Sequence, residues 1–426
     1  MKKSLAVLII QAICIQVFAQ SNLEEKLKSI PNVTRILKTE ATDHFEANYA
    51  LWFLQHIDPR DTNSQAFEQL VLLGYAGADK PVIIELEGYE VYSAESGELA
   101  TMFEANQINI EHRFFANSQP EDSIPWQYLT VDNAAHDQHI IIQTLKEAIF
   151  PEEPFISTGI SKGGQTTMIH RSKYPDDVDG SVCYVAPLNF EREDSRIYHF
   201  LDTVGTQDQR GQVRDFQIRC FENKEIIVHL LDSIANKKGW NWDFGVQTAF
   251  EYYILEYSFA FWQWGQYDFD QIPGDDATPN NLLNHLLAVS GVSFFENRGV
   301  RDLEPFFHAA MTEMGMYGYE YEPFKEYLNQ EGDYLFEFTM PVPNASFSNE
   351  EMLKVQEFIQ NDATEMIFIY GAKDTWSATA VHLQEAAVDR GLEKYLLTGG
   401  HHGTRIRSFP KKTQREIKKT IESWMD

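Results

Sequence analysis

Phe155-Ile156-Ser157-Thr158-Gly159-Ile160-Ser161-Lys162-Gly163-Gly164-Gln165 carries an apolar strand into Gly-x-Ser-x-Gly and on into a helical pattern from Thr166 to Arg171. Glycines on both sides of Ser161 permit the sharp strand-to-helix turn that lifts a serine hydroxyl clear of a sheet, with the amides of the helix N-terminus beside it. The motif is short enough to arise by chance, but its place between a strand and a helix makes Ser161 a candidate nucleophile. A serine hydroxyl needs a base to take its proton, and that base needs an acid to hold its tautomer. Downstream, the apolar run Met366 to Tyr370 ends in Gly371-Ala372-Lys373-Asp374, and Tyr395-Leu396-Leu397 ends in Gly399-Gly400-His401-His402-Gly403. Asp374 is therefore the candidate acid, and spacing leaves the base open between His401 and His402. The interval from Asp374 to the histidines fits one helix and one strand; the longer interval after Ser161 leaves room for an insert. An oxyanion hole needs amides at the turn and from a loop after an earlier strand. Pro81-Val82-Ile83-Ile84-Glu85-Leu86-Glu87-Gly88-Tyr89 supplies that loop, so the amides of Lys162 and of Gly88 or Tyr89 are the candidates. Glu87 reads equally as a site acid or a plain surface acid.

Outward from this segment, short apolar runs bounded by Gly or Pro alternate with helical patterns: Pro81 to Leu86, Ile108 to His112, Phe155 to Thr158, Val182 to Ala186, Met366 to Tyr370 and Tyr395 to Leu397. Such runs predict a mainly parallel sheet buried on both faces. Ahead of them, Leu23 to Leu37 predicts a short amphipathic helix. Phe45 to Leu73 alternates about the turn Asp58-Pro59-Arg60-Asp61 and predicts an antiparallel strand pair. An antiparallel start followed by a parallel sheet is the profile of an α/β-hydrolase. Between 189 and 362 the pattern turns helical and aromatic, as in Tyr252-Tyr253-Ile254-Leu255-Glu256-Tyr257-Ser258-Phe259-Ala260-Phe261-Trp262. A stretch of that length without sheet-like runs reads as an inserted helical cap, and its aromatic stripe mainly as cap core. The expected organisation is a leader over 1–19, a first part of the hydrolase domain over 20–188, the cap over 189–362 and a second part over 363–426.

The chain has 426 residues, with 35 Lys and Arg against 64 Asp and Glu, a formal charge of −29. A field of that sign repels phosphate and argues against nucleic acid and anionic lipid as partners. Lys2 and Lys3 precede an apolar run from Leu5 to Phe18, and Ala19 before Gln20 suits a signal peptidase. The run falls short of the ~20 residues that span a bilayer, so it predicts a cleaved signal, a secreted or periplasmic product and no stable membrane insertion afterwards. Cys14 lies in that leader. Of the other cysteines, Cys183 sits in an apolar run and reads as a small buried hydrophobe. His136 and His139 lie three apart on a predicted helix without a clear third ligand. Nothing calls for a metal or an organic cofactor.

Several segments resemble a known family: Glu111-His112-Arg113-Phe114-Phe115-x-x-Ser118-x-Pro120, Trp126-x-Tyr128-Leu129-Thr130, Gly159-Ile160-Ser161-Lys162-Gly163-Gly164, His170-Arg171, and Tyr174-Pro175-Asp176-Asp177-Val178-Asp179-Gly180. They are similar to secreted bacterial proline-specific tripeptidyl aminopeptidases, the PS-ten serine peptidases, which are related to the prolyl carboxypeptidase and dipeptidyl peptidase group. The resemblance runs from about Val82 to Ile406. It implies an α/β-hydrolase with a helical cap whose substrates are peptides, cut near a free N-terminus with proline before the scissile bond. It also implies Ser161 as nucleophile, Asp374 as acid and His402 as base, since the family places the histidine directly before glycine. Asp374-Thr375-Trp376 departs from the more usual Asp-Pro-Trp. Glu256 lies in a segment similar to the family's cap and is implied as the holder of the substrate ammonium.

Glu251 and Glu256, set among aromatics, both favour a peptide amine over a neutral ester, and Trp262 belongs to the aromatic walls expected around a proline ring. An esterase or lipase of the same fold shares every triad residue. A catalytically inactive surface binding protein is a third reading, opposed by Ser161, Asp374 and His402 all being present.

Overall fold

The computed structural model describes residues 23–329 and 334–426; the leader read over 1–19, with Cys14, lies outside the described residues. The chain divides into two compact units, one running up to Val182 and completed by Glu416–Asp426, the other Cys183–Arg415.

In the first unit, β1 (Val33–Thr39), β2 (Ala47–His56) and β3 (Ala66–Tyr75) form an antiparallel meander. The β2–β3 register runs from Ala47 opposite Tyr75 to His56 opposite Ala66, which places the Asp58 to Asp61 turn at the hairpin end as expected. Beyond β3 the sheet continues through β5 (Asn106–Ile110), β4 (Val82–Leu86) and β6 (Phe155–Ile160). β4 pairs in parallel with both neighbours, Val82 lying opposite Asn106 on one side and Phe155 on the other. All of β5, and every residue of β6 except Ile160, is buried, which is why these strands read as apolar runs and not as alternations. The fold is that of an α/β-hydrolase.

The expected helix from Leu23 to Leu37 is cut short. Helix occupies only 23–28, and the chain enters β1 at Val33. Pro31 interrupts the helical pattern, and the β-branched Val33, Thr34 and Ile36 favour the ladder that β2 offers.

Two helices flank the site in this unit, α1 (Val131–Ala148) and α2 (Lys162–Lys173). Thr130 starts α1 by accepting the Asn133 amide at 3.2 Å. The Glu111-His112-Arg113 segment after β5 is riveted to it: Arg113 Nε lies 2.8 Å from Asp137 Oδ2 on α1, and both side chains are fully buried. Burial pushes the Asp137 carboxyl up to about 7, against the pull of the guanidinium. Removing one partner of such a pair leaves an uncompensated charge in the core, a loss of roughly 3–5 kcal/mol. Glu111 accepts from Ser118 Oγ at 2.8 Å and from the Val91 amide at 3.0 Å, which ties down the loop that follows β4.

β7 (Gly180–Tyr184) carries the chain into the second unit, where β8 (Met366–Gly371) and β9 (Glu393–Leu397) pair in parallel with Ile367 opposite Glu393. Among the described residues of 189–362 there is no strand; helices run at Arg196–Thr203, Gln207–Glu222, Lys224–Lys238, α3 (Val246–Trp264), Pro279–Ser290 and Glu350–Asn361. The aromatic stripe of α3 is core, with Tyr253, Tyr257 and Trp262 among the largest fully buried side chains. Each such ring contributes roughly 1.5–3 kcal/mol of burial, enough to hold α3 rigidly in its unit. Between 315 and 349 the described chain has only 3-10 turns where a helical pattern was expected. Tyr317, Tyr319, Tyr334 and Phe336 of that stretch are buried in the aromatic cluster, so packing fixes a segment that helix propensity does not.

Candidate active site

Ser161 stands between β6 and α2 with φ 58° and ψ −123°, a backbone region that side-chain-bearing residues rarely adopt. Strain at one residue of a tight strand-to-helix turn marks a nucleophile elbow. The flanking glycines are required by space. A Cβ on Gly159 would come 2.2 Å from the Gly163 carbonyl oxygen, and one on Gly88 would come 2.6 Å from the Gly163 amide nitrogen. The loop after β4 thus lies directly against the start of α2, with Gly88 packed on the backbone of Lys162 and Gly163. Glu87 is no plain surface acid. Burial and the neighbouring Glu85 push its carboxyl up to about 8, while Asn109 Nδ2 donates to it at 3.0 Å.

Asp374 and His402 meet in the second unit. Asp374 Oδ2 lies 2.8 Å from His402 Nδ1, with Asp374 wholly enclosed and His402 nearly so. Asp374 Oδ1 accepts the Trp376 amide at 3.1 Å, which fixes the carboxylate plane and starts the turn Thr375–Thr379. The threonine that stands where the resemblance led one to expect proline is used: Thr375 Oγ1 donates to the Phe259 carbonyl of α3 at 2.8 Å.

The histidine pair is resolved by the same helix. The last turn of any helix leaves carbonyls without intrahelical donors. Here the Gln263 carbonyl accepts the His402 amide at 2.8 Å, and the Trp262 carbonyl lies 2.9 Å from His401 Nδ1. A carbonyl only accepts, so His401 Nδ1 carries its proton and points away from the acid. His401 is a strut, and His402 is the histidine that faces Asp374. Trp264, half exposed, meets the His402 ring edge to face with centroids 5.2 Å apart.

The two acids of α3 part company. Glu251 is completely buried and fully engaged: Lys224 Nζ lies 2.5 Å away, the Tyr334 hydroxyl donates to its other oxygen, and the Asn329 amide donates at 3.2 Å. Its expected role toward a substrate amine is corrected, because an internal ammonium already holds it. Glu256 is buried without any cation among the described residues. Tyr317 and Tyr319 donate to its Oε2 at 2.8 and 2.7 Å, yet burial still pushes its carboxyl up to about 8. These tyrosines were missed in the sequence; the alternation Tyr317-Gly318-Tyr319 was the one local signal for them. Trp262 is buried and lines a cavity of about 310 Å³ with Phe259, Tyr319 and Arg210.

His136 and His139 are otherwise occupied. His136 Nδ1 lies 2.8 Å from the Tyr174 hydroxyl, and His139 Nδ1 lies 2.9 Å from Asp177, which also meets His170 Nε2 at 3.0 Å. No group of three potential metal ligands occurs among the described residues. Cys183 and Cys220 are both buried and neither is in a disulfide, Cys183 lying in the core as the small hydrophobe expected.

A strained serine elbow, an enclosed Asp–His pair and the chain order Ser, Asp, His together define the serine hydrolases of the α/β-hydrolase fold. The chain belongs to the PS-10 peptidase S37 family, whose model matches residues 19–425, and it is a serine peptidase. The prolyl tri/tetrapeptidyl aminopeptidase of Streptomyces mobaraensis is 28% identical to it over 395 residues, which are 91% of this chain and 81% of that protein. Among solved structures, the proline iminopeptidase of Mycobacterium smegmatis is similar at 12% identity and a TM-score of 0.38, over 88% of this chain and 98% of that one. A thermostable carboxyl esterase from Bacillus coagulans is similar at 12% identity and a TM-score of 0.38, over 91% of this chain and all (100%) of that one.

Proposed function

We propose that this chain is an exported serine aminopeptidase that releases short peptides, tripeptides with proline before the scissile bond, from free N-termini. The observation that carries the reading is Glu256. A fully buried carboxylate with only neutral partners is costly, and an incoming ammonium is the counter-ion that relieves it. Glu251 nearby on the same helix has such a counter-ion already in Lys224, which leaves Glu256 for the substrate. The S. mobaraensis relative is named a prolyl tri/tetrapeptidyl aminopeptidase, which agrees with this choice of substrate.

In the proposed cycle, His402 takes the Ser161 proton as the hydroxyl attacks the peptide carbonyl, and Asp374 holds the imidazole tautomer and offsets its charge. The Lys162 amide and the Gly88–Tyr89 peptide stabilise the oxyanion. His402 then protonates the leaving amine, and water releases the acyl group by the same steps in reverse. The half-exposed Trp264 beside His402 offers a flat apolar wall for the proline ring. No cofactor enters these steps. Export rests on the Lys2-Lys3 and Leu5 to Phe18 leader read from the sequence.

Replacing Glu256 by glutamine is expected to lower kcat/KM on free-amine peptides roughly 10²-fold, because a charged partner of the ammonium is lost. With its carboxyl raised to about 8, Glu256 is largely protonated at pH 7, so kcat/KM climbs as it ionises and falls once the substrate amine, near pKa ~8, loses its proton. In Glu256→Gln the part of the rising limb owed to Glu256 disappears. Steady-state kinetics from pH 5 to 10 on both enzymes read this directly. Equal kcat/KM and unchanged profiles sink the assignment.

A further inference from the structure

Lys162 follows Ser161 directly, yet its side chain is almost wholly enclosed, 3% exposed. Its Nζ donates to the Gly88 carbonyl at 2.6 Å and sits over the rings of Tyr89 and Phe115, 5.6 and 5.4 Å from their centroids. No carboxylate pairs with it among the described residues. Burial lowers its ammonium to about 7 and holds the facing His112 well below its usual range, so His112 is neutral there. A methionine fills such an aromatic slot without the cost of burying an amine. What the lysine adds over a methionine in this slot is its donor to the Gly88 carbonyl.

The acceptor explains what the donor does. A peptide unit is planar and trans, so its C=O and N–H point in opposite directions. Pinning the Gly88 oxygen on Nζ fixes the whole Gly88–Tyr89 plane and aims the Tyr89 N–H away from the lysine. Gly88 itself packs on Lys162: a Cβ there would come 2.7 Å from Lys162 Cβ. One residue thus touches both halves of the oxyanion hole, with its own amide at the helix start and its side chain on the loop.

We propose that the Lys162 side chain is a positioning residue that clamps the Gly88–Tyr89 peptide so that its N–H and the Lys162 N–H converge on the oxyanion. This rests on the reading of Ser161 as the acylated nucleophile. Loss of one oxyanion donor typically lowers kcat 10²–10³-fold. Lys162→Met is expected to lower kcat on a peptide about 10²-fold with KM changed less than threefold, and to slow fluorophosphonate labelling of Ser161 to a similar degree. Lys162→Gln, which keeps a polar group too short to reach Gly88, is expected to do the same and serves if the methionine variant does not fold. Folded variants, judged by thermal unfolding, that label and turn over within threefold of the parent overturn the clamp, as does a loss confined to KM. If the parent enzyme itself is not labelled at Ser161, it is the nucleophile assignment that fails.

Discussion

Ser161→Ala is expected to lower kcat on a peptide substrate by a factor on the order of 10⁶, as removal of the nucleophile does where the residues act as a unit. The same change should leave the fold intact. Ser161 holds φ 58° because β6, α2 and the flanking glycines demand it, and alanine meets the same demand with the same Cβ. Its thermal midpoint should lie within a few degrees of the parent, while fluorophosphonate labelling disappears. Glycine at this position relieves the strained backbone, worth about 1 kcal/mol or more, so Ser161→Gly should be equally inactive and at least as stable. A fully active Ser161→Ala enzyme would remove Ser161 from the mechanism.

Asp374→Asn carries the second large effect, a fall in kcat of about 10⁴-fold. The reason is tautomeric. Asp374 Oδ2 faces His402 Nδ1 at 2.8 Å and, as a pure acceptor, requires the proton to sit on Nδ1 and leaves Nε2 free to accept. An asparagine amide placed there donates to Nδ1, which moves the proton to Nε2 and disables the base. Oδ1 of the asparagine can still accept the Trp376 amide, so the turn Thr375–Thr379 should survive. The measurement is kcat together with a circular dichroism melt. A parallel loss of activity and of the melting transition would show that Asp374 serves the fold and not the tautomer.

Much of this was legible because its chemistry is local. The elbow is written in a few consecutive residues around Ser161, and Asp374 and the histidines each end an apolar strand run. The parallel strands were legible for the same reason, since burial on both faces leaves an unbroken apolar run. What was not legible depends on distant partners. Glu251 and Glu256 look alike on one helix, and only Lys224 from another helix and Tyr317 and Tyr319 from a coil segment separate their roles. His401 and His402 are neighbours that spacing leaves open; the resemblance implies His402, and the structure separates them because the Trp262 carbonyl faces His401 Nδ1 while Asp374 faces His402 Nδ1. The helix expected from Leu23 to Leu37 failed because the pairing of β1 with β2 outweighs a short amphipathic pattern.

In the proposed function, Ser161 chemistry is directed at free N-termini through Glu256. Its most direct test is to incubate the parent enzyme with two peptides of one sequence carrying proline at the third position, one with a free amine and one N-acetylated, and to follow product masses with time. The expected result is a single early cut after proline in the free peptide, with the tripeptide released, and cleavage of the acetylated peptide at least ~10²-fold slower, because a neutral amide gives a buried carboxylate no counter-charge. Equal rates on the two peptides, or first cuts in the interior of the chain, would contradict it.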